Sequence, residues 1–270
     1  MPGSSRASKT RASALVALFL CLQLLAVIAV NPASANRAAG QLVQVTRVID
    51  GDTVILRDGR HIRLIGINTP EIGKKGRPDQ PLAWQAQRQL QALVNNATTM
   101  LTPGQAQQDR HGRTLAYLDV IEDAHKVIDV QDQLIKAGLA WLVAIPPNIN
   151  RLKLYIDSQA QAKQQKRGIW AHRQYRPKAV STLGTGSTGF QQVRGRVKSI
   201  GSSRKYLYLN LGPQFSVRIS HENWKTYFQG SPETLVNKQV IVRGWISKQG
   251  KASLGMRVAH PAMIEIDSTQ

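Results

Sequence analysis

Asp50-Gly51-Asp52, Arg63 and Asn68-Thr69-Pro70-Glu71 set three carboxylates at the two ends of one short stretch, residues 50 to 71, and a guanidinium between them. Held close together, such groups bind a cation, orient a water or grip an anion, so what brings them together matters. The β-branched runs Thr53–Leu56 and His61–Ile67 flank Asp58-Gly59, a dipeptide that supplies the two positive φ angles of a tight hairpin turn. A two-residue turn there pairs Arg57 with Arg60, Val54 with Arg63 and Asp52 with Ile65. Paired residues share a face, so Asp52, Val54, Arg63 and Ile65 are expected to point the same way. A carboxylate and a guanidinium on one face, with an Asn-Thr-Pro-Glu turn at the exit, form a polar cluster at a strand end, where scaffolds display chemistry. Taken alone, the same residues also describe a surface ion pair on an ordinary hairpin.

They do not stand alone. Asp50-Gly51-Asp52-Thr53-Val54, the run Arg63-Leu64-Ile65-Gly66-Ile67-Asn68-Thr69-Pro70-Glu71, and Asp109-Arg110-His111-Gly112-Arg113-Thr114-Leu115-Ala116-Tyr117 resemble the three signature stretches of the staphylococcal (micrococcal) nuclease, or thermonuclease, family. Gly138-Leu139-Ala140 and Arg167-Gly168-Ile169-Trp170 resemble later landmarks, so the resemblance spans roughly residues 41 to 173. It implies an OB-type barrel elaborated by three helices, and cleavage of the 5′ P–O bond to leave 3′-phosphates. At position 68 the family pattern has Asp, whereas this chain has Asn.

Phosphodiester hydrolysis requires a positioned water, a group to orient or deprotonate it, and positive charge around the phosphoryl oxygens. With the resemblance as guide, Asp52, Asn68 and the Thr69 carbonyl form a hard oxygen set suited to Ca²⁺. Glu71 takes the water-activating role assigned to its family counterpart. Arg63 and Arg113 grip the phosphate, because a guanidinium offers paired N–H donors matched to its oxygens. Asp50 supports the metal-binding turn; Arg110 and His111 are candidate nucleic-acid contacts, and Asp109 reads as a turn residue. The six histidines show no paired metal-ligand spacing, and no zinc motif is present.

Lys and Arg number 36 against 16 Asp and Glu, a net charge of +20, which points to a polyanionic partner, nucleic acid or an anionic membrane surface. Basic Arg6, Lys9 and Arg11 precede the apolar run Ala14 to Val30 and then Ala33-Ser34-Ala35. This reads as a secretory signal over residues 1–35, cut after Ala35; an uncleaved membrane anchor is the alternative. Cleavage lowers the net charge to +17 and removes Cys21, the only cysteine. The expected location is secreted or periplasmic. No stable protein partner is implied, and no membrane association unless the signal stays in place.

The elements that must position these residues follow from periodicity. Apolar spacing predicts helices over Leu82–Val94, Val130–Ala140 and Ile149–Arg167, and strand composition recurs at Thr98–Thr102 and Thr114–Ile121. These complete an OB-fold nuclease domain over 36–175. Residues 176–190 hold Gly184, Gly186 and Gly189 in a G-x-G-x-x-G pattern; with no clear strand before it and no helix after it, a flexible linker with few contacts across it is expected. Short strands at Val193–Val197, Tyr206–Leu211, Phe215–Ile219, Val240–Trp245 and Ile264–Ile266 suggest a second OB-like β-barrel over 191–268. Between 178 and 270 there are 13 basic and 4 acidic residues. Arg194, Arg196, Tyr206, Tyr208 and Arg218 could form a stacking-and-phosphate groove, or the aromatics could fill the barrel while the charges only solubilise. The fold class expected is thus α+β, a β-barrel with helices followed by a smaller barrel. The expected function is an exported Ca²⁺-dependent endonuclease acting on DNA and RNA with low sequence specificity. Its rivals are a non-catalytic nucleic-acid-binding protein on the same scaffold and a basic envelope-binding protein, which accounts for the charge but for none of the motifs.

Overall fold

The computed structural model describes residues 40–74, 76–249 and 253–267; the expected signal segment with Cys21 lies outside the described residues. The first sheet runs through β1 (Gln41–Val43), β2 (Val45–Asp50), β3 (Thr53–Leu56) and β4 (His61–Leu64), with β5 (Ile67–Asn68) apart from it. It is completed by β6 (Thr98–Gln108), β7 (Thr114–Ile121) and β8 (Val127–Asp129). Its order is β1-β6-β7-β4-β3-β2, with β8 on β7. Since β1 and β2 are separated only by Gln44, one bent strand closes on both ends of the path and curls the sheet into an OB-fold half-barrel. Helices α1 (Ala83–Val94), α2 (Val130–Lys136) and α3 (Leu152–Gln164) cover it. The core takes Val54, Leu56, Ile62, Leu64, Leu101 and Leu118 from the strands, and, on the helical spacing expected, Ala86 and Leu90 from α1 and Leu134 and Ile135 from α2.

The β3–β4 hairpin is offset by one residue from the sequence expectation. Thr53 lies opposite Arg63 and Val54 opposite Ile62, and the Leu56 N–H bonds to the Arg60 carbonyl at 3.0 Å. This leaves a three-residue loop, Arg57-Asp58-Gly59, in which Gly59 alone has a positive φ, 85°. A turn closing on one left-handed glycine replaces the two-residue turn, and one residue of slip exchanges the faces. Val54 therefore points into the core with Ile62, and Arg63 points away from it. Asp52 still meets Arg63, because it sits in the turn ahead of β3, where strand alternation does not apply.

The second sheet comprises β10 (Lys178–Ala179), β11 (Gly189–Arg196), β12 (Ser199–Ser202), β13 (Tyr206–Gly212), β14 (Phe215–Ser220), β15 (Gln239–Lys248), β16 (Leu254–Arg257) and β17 (Ile264–Ile266). Helix α4 (His221–Tyr227) connects β14 to β15, and the Ser220 side chain accepts from the Asn223 N–H as its N-cap. β14 runs parallel to β16, while β11 and β16 pair antiparallel with β15. The strand β16 and helix α4 were not expected from the sequence.

Contacts across the 176–190 stretch are more extensive than its glycine and serine content suggests. Lys178 and Ala179 pair with β11, and Val180 and Leu183 pack on the second core. That core also takes Val143 and Ala144 from the strand exit after β9 (Trp141–Leu142). The Ala144 N–H donates to the Met263 sulfur at 3.3 Å, and Lys163 of α3 pairs with Glu265 of β17. Composition reports backbone freedom; it does not report apolar residues placed at the edges of such a stretch. Among the described residues, no helix is long and apolar enough to cross a membrane.

Candidate active site

A close approach of backbone to helix sets the first part of the site. A Cβ on Gly51 would lie 2.6 Å from the Ala86 Cβ and 2.7 Å from the Thr69 Oγ1, so only glycine lets the Asp50-Gly51-Asp52 turn nest between α1 and the 68–71 turn. Asp52 is thereby buried and meets Thr69, whose N–H donates to Asp52 Oδ2 at 3.0 Å. The Thr53 hydroxyl donates to Asp52 Oδ1 at 3.2 Å. Asp50 accepts from the Asp52 N–H at 3.2 Å, bracing the turn as expected.

Arg63 joins the two halves. Its Nη2 lies 2.9 Å from Asp52 Oδ2 and donates to Asn68 Oδ1 at 3.2 Å, while Nη1 donates to the Leu64 carbonyl at 3.0 Å. The Asn68 Nδ2 donates to the Thr69 carbonyl at 3.3 Å. A carboxylate oxygen and an amide oxygen thus already converge on one cationic nitrogen, with a backbone carbonyl alongside. The donor set is hard and all oxygen, the kind Ca²⁺ takes. It contains a single carboxylate, and among the described residues no three His, Cys, Asp or Glu side chains gather as a metal cluster.

Arg113 arrives from far along the chain because β4 and β7 are parallel. Ile62 lies opposite Thr114 and Arg63 opposite Leu115, which sets Arg113 at the start of β7 beside β4. Asp109 holds it there: its carboxylate receives Arg113 Nε and Nη2, each at 2.7 Å, and the Arg113 and His111 backbone N–H groups at 3.0 and 2.8 Å. Partial desolvation pushes the Asp109 pKa upward, but these bonds outweigh it and hold the carboxyl below the usual range. Asp109 is therefore both the expected turn residue and the partner that aims Arg113. Arg110 and His111 are exposed on the same turn, with Arg110 Nε donating to His111 Nε2 at 3.1 Å.

Glu71 ends the 68–71 turn. Its backbone is clamped by Gln80, whose Oε1 accepts the Glu71 N–H at 3.0 Å and whose own N–H donates to the Glu71 carbonyl at 2.9 Å. Desolvation raises the Glu71 pKa, the charge of Asp50 adds to the rise, and Arg63, Lys74 and Arg113 pull against it. Each of these charges is near enough to bias the Glu71 carboxylate. Burial raises Asp52 most, to about 7; Arg63 opposes, and Asp50 and Glu71 add. Such a set can hold a cation, draw a proton from water at Glu71 and present two guanidinium groups to an anion. Gln80 belongs to no motif and was missed from the sequence.

The remaining candidates lie elsewhere. Arg194 pairs with Asp267 at 2.7 Å, and Arg196 donates to the Asn237 carbonyl at 2.8 Å, both on β11. On β13 and β14, the guanidinium of Arg218 lies 5.6 Å from the Tyr206 ring centre and Lys205 Nζ 5.7 Å. The Tyr206 and Tyr208 rings meet edge-on at 6.4 Å. They form a separate surface on the second sheet.

The chain is similar to known proteins. The family described as "Staphylococcal nuclease homologue" matches residues 61–172. The thermonuclease of Staphylococcus hyicus is 34% identical over 143 residues, 52% of this chain and 82% of that protein. That of Staphylococcus intermedius is 34% identical over 140 residues, 51% of this chain and 80% of its own length. Endonuclease YncB of Bacillus subtilis is 30% identical over 150 residues, 54% of this chain and 69% of its own. The chain belongs to the staphylococcal nuclease family and is a nuclease, a hydrolase of phosphodiester bonds.

Proposed function

We propose that the protein is an exported, calcium-dependent endonuclease that cleaves DNA and RNA with little sequence preference and leaves 3′-phosphates. The reading is carried by one observation: Asp52 Oδ2 and Asn68 Oδ1 converge on Arg63 Nη2. In this reading Asp52, Asn68 and the Thr69 carbonyl would hold Ca²⁺. Bound there, the ion would supply charge stabilisation for the phosphoryl oxygens. Glu71 accepts the proton of the attacking water, and its raised pKa brings it closer to the working range of a general base. Arg63 and Arg113 pair with the phosphoryl oxygens; Asp109 keeps Arg113 in place for this, and Asp50 keeps the Asp52 turn.

Residues 191–268 are read as a second, OB-like barrel after a 176–190 connection. Support comes from the parallel β14–β16 pair, the shared partner β15 and the helix between β14 and β15. Its Arg194, Arg196, Tyr206, Tyr208 and Arg218 would contact the nucleic acid. The N-terminal residues 1–35 would export the chain to the periplasm or beyond the cell.

The test is a zymogram on heat-denatured DNA and on RNA, run with Ca²⁺ and with a chelator. Clearing on both substrates with calcium only is expected. Binding of nucleic acid with no clearing in any metal would favour the non-catalytic reading.

A further inference from the structure

Between the two sheets lies a pocket of about 190 Å³ walled by Trp141 of β9, Tyr175 and Phe190 of β11. We propose that it holds one unpaired base of the strand whose backbone lies at Glu71, making a base subsite built jointly by the two sheets. The proposal rests on the nuclease reading and adds to it where a neighbouring nucleotide goes.

Position comes first. Gln80, part of the pocket wall, is the residue whose side chain and backbone both bond Glu71. Trp141 lies directly opposite Asn68 in the β5–β9 pair, and the Tyr175 hydroxyl donates to the Pro81 carbonyl, next to Gln80. The pocket therefore adjoins the 68–71 turn from the side of the second sheet.

The lining chemistry suits a base. The Trp141 ring meets Tyr175 edge-on with centres 4.8 Å apart and Phe190 at 5.2 Å, so the wall is aromatic from three separate elements. Aromatic surfaces take any base by stacking. Gln174, Gln191 and Gln192 also line the pocket and supply amide groups for the polar edge of a base. Arg176 and Lys178 are exposed at the pocket, and among the described residues no carboxylate lines it, which admits a phosphate on either side of the bound nucleotide. Drug-sized pockets run to roughly 300–1,000 Å³; this one suits a single ring system. A base stacked in a duplex would first have to leave its stack, so single strands are the favoured substrate.

The experiment moves a single abasic nucleotide, position by position, along a fluorescent single-stranded oligonucleotide bearing one cleavable phosphodiester. KM and kcat are measured with calcium, and binding by anisotropy with a chelator. For the unmodified protein, one abasic position at a fixed distance from the cleaved bond should raise KM at least about fivefold, the low end for losing one stacked base. Turnover should stay within about twofold. In Phe190→Ala and in Gln191→Leu, the second chosen because Gln191 is half-exposed and removable without opening a core, that position-specific penalty should shrink or vanish. Equal KM at every abasic position, or an undiminished penalty in both variants, would overturn the proposal. A strand that binds with the penalty but is never cut would sink the nuclease reading and keep the pocket. A strand cut with no penalty would do the reverse.

Discussion

The two sheets repeat one order of strand pairing and use it differently. In each, two successive strands (β1 and β2; β11 and β12) meet different partners, β4 runs parallel to β7 as β14 does to β16, and a helix lies between β4 and β6 as between β14 and β15. In each, the parallel pair brings together arginines distant in sequence: Arg63 and Arg113 in the first, and Arg218 opposite Arg257 in the second. The surroundings differ. Asp52, Glu71 and Asp109 attend the first pair, whereas Arg218 lies over the Tyr206 ring. The same backbone arrangement is accompanied by carboxylates in one sheet and by an aromatic ring in the other, and only carboxylates can take a proton from water and aim a cation.

That contrast can be broken at its strongest point. Glu71→Gln should lower kcat at least about a hundredfold, the usual scale for losing a general base, while nucleic-acid affinity stays unchanged. Full activity would mean that the acidic site is not what separates the two sheets. Next in size is Asn68→Asp. Restoring a second carboxylate should lower the calcium concentration for half activity by about one to two decades, since calcium affinity follows ligand charge. An unchanged midpoint would remove residue 68 from the metal set.

A pH profile sharpens the comparison. Glu71 must be ionised to accept a proton, so kcat/KM should fall on acidification; burial and Asp50 raise its pKa in the metal-free site, and raising calcium should move the acid midpoint downward. Ending the chain at residue 177 tests how far the first sheet depends on the second. Trp141, Val143 and Ala144 would lose their cover, and the melting temperature should drop by at least about 5 °C. Smallest is Arg218→Ala. If it makes one phosphate contact, the slope of log affinity against log salt should flatten by about 0.7 to 0.9, with kcat unaltered.

Much of the first region was legible because its chemistry lies in contiguous motifs and its helices carry strong apolar stripes. The strand Thr114–Ile121 matches its expected limits. The hairpin register was not legible: Asp58-Gly59 serves a two-residue or a three-residue turn equally well, and the choice rests on the φ of Asp58. Leu254–Arg257 is short and interrupted by glycine, so only its pairing with β14 and β15 reveals a strand. Helix α4, His-Glu-Asn-Trp-Lys-Thr-Tyr, is too short for periodicity to stand out, although Trp224 and Phe228 pack on the second core and Ser220 was a readable cap signal. The Asp109 clamp on Arg113 was open to a spacing argument, four residues apart around a glycine turn. Gln80 and Trp141 had no such signal, because their partners are backbone atoms and rings brought near by the fold.

Val143 and Ala144 belong to the core of the second sheet, yet the strand just before them pairs with Asn68. Local unfolding follows such continuity. β9 is the only β-ladder partner of the Asn68–Thr69 turn among the described residues, and Leu142 of β9 lies in the first core with its N–H on Gln159 of α3. The strand is thus pinned from both cores, and amide hydrogen exchange at Asn68 and Trp141 should be slower than in the outer strands of either sheet. A turn at the edge of one core borrows part of its lifetime from the other.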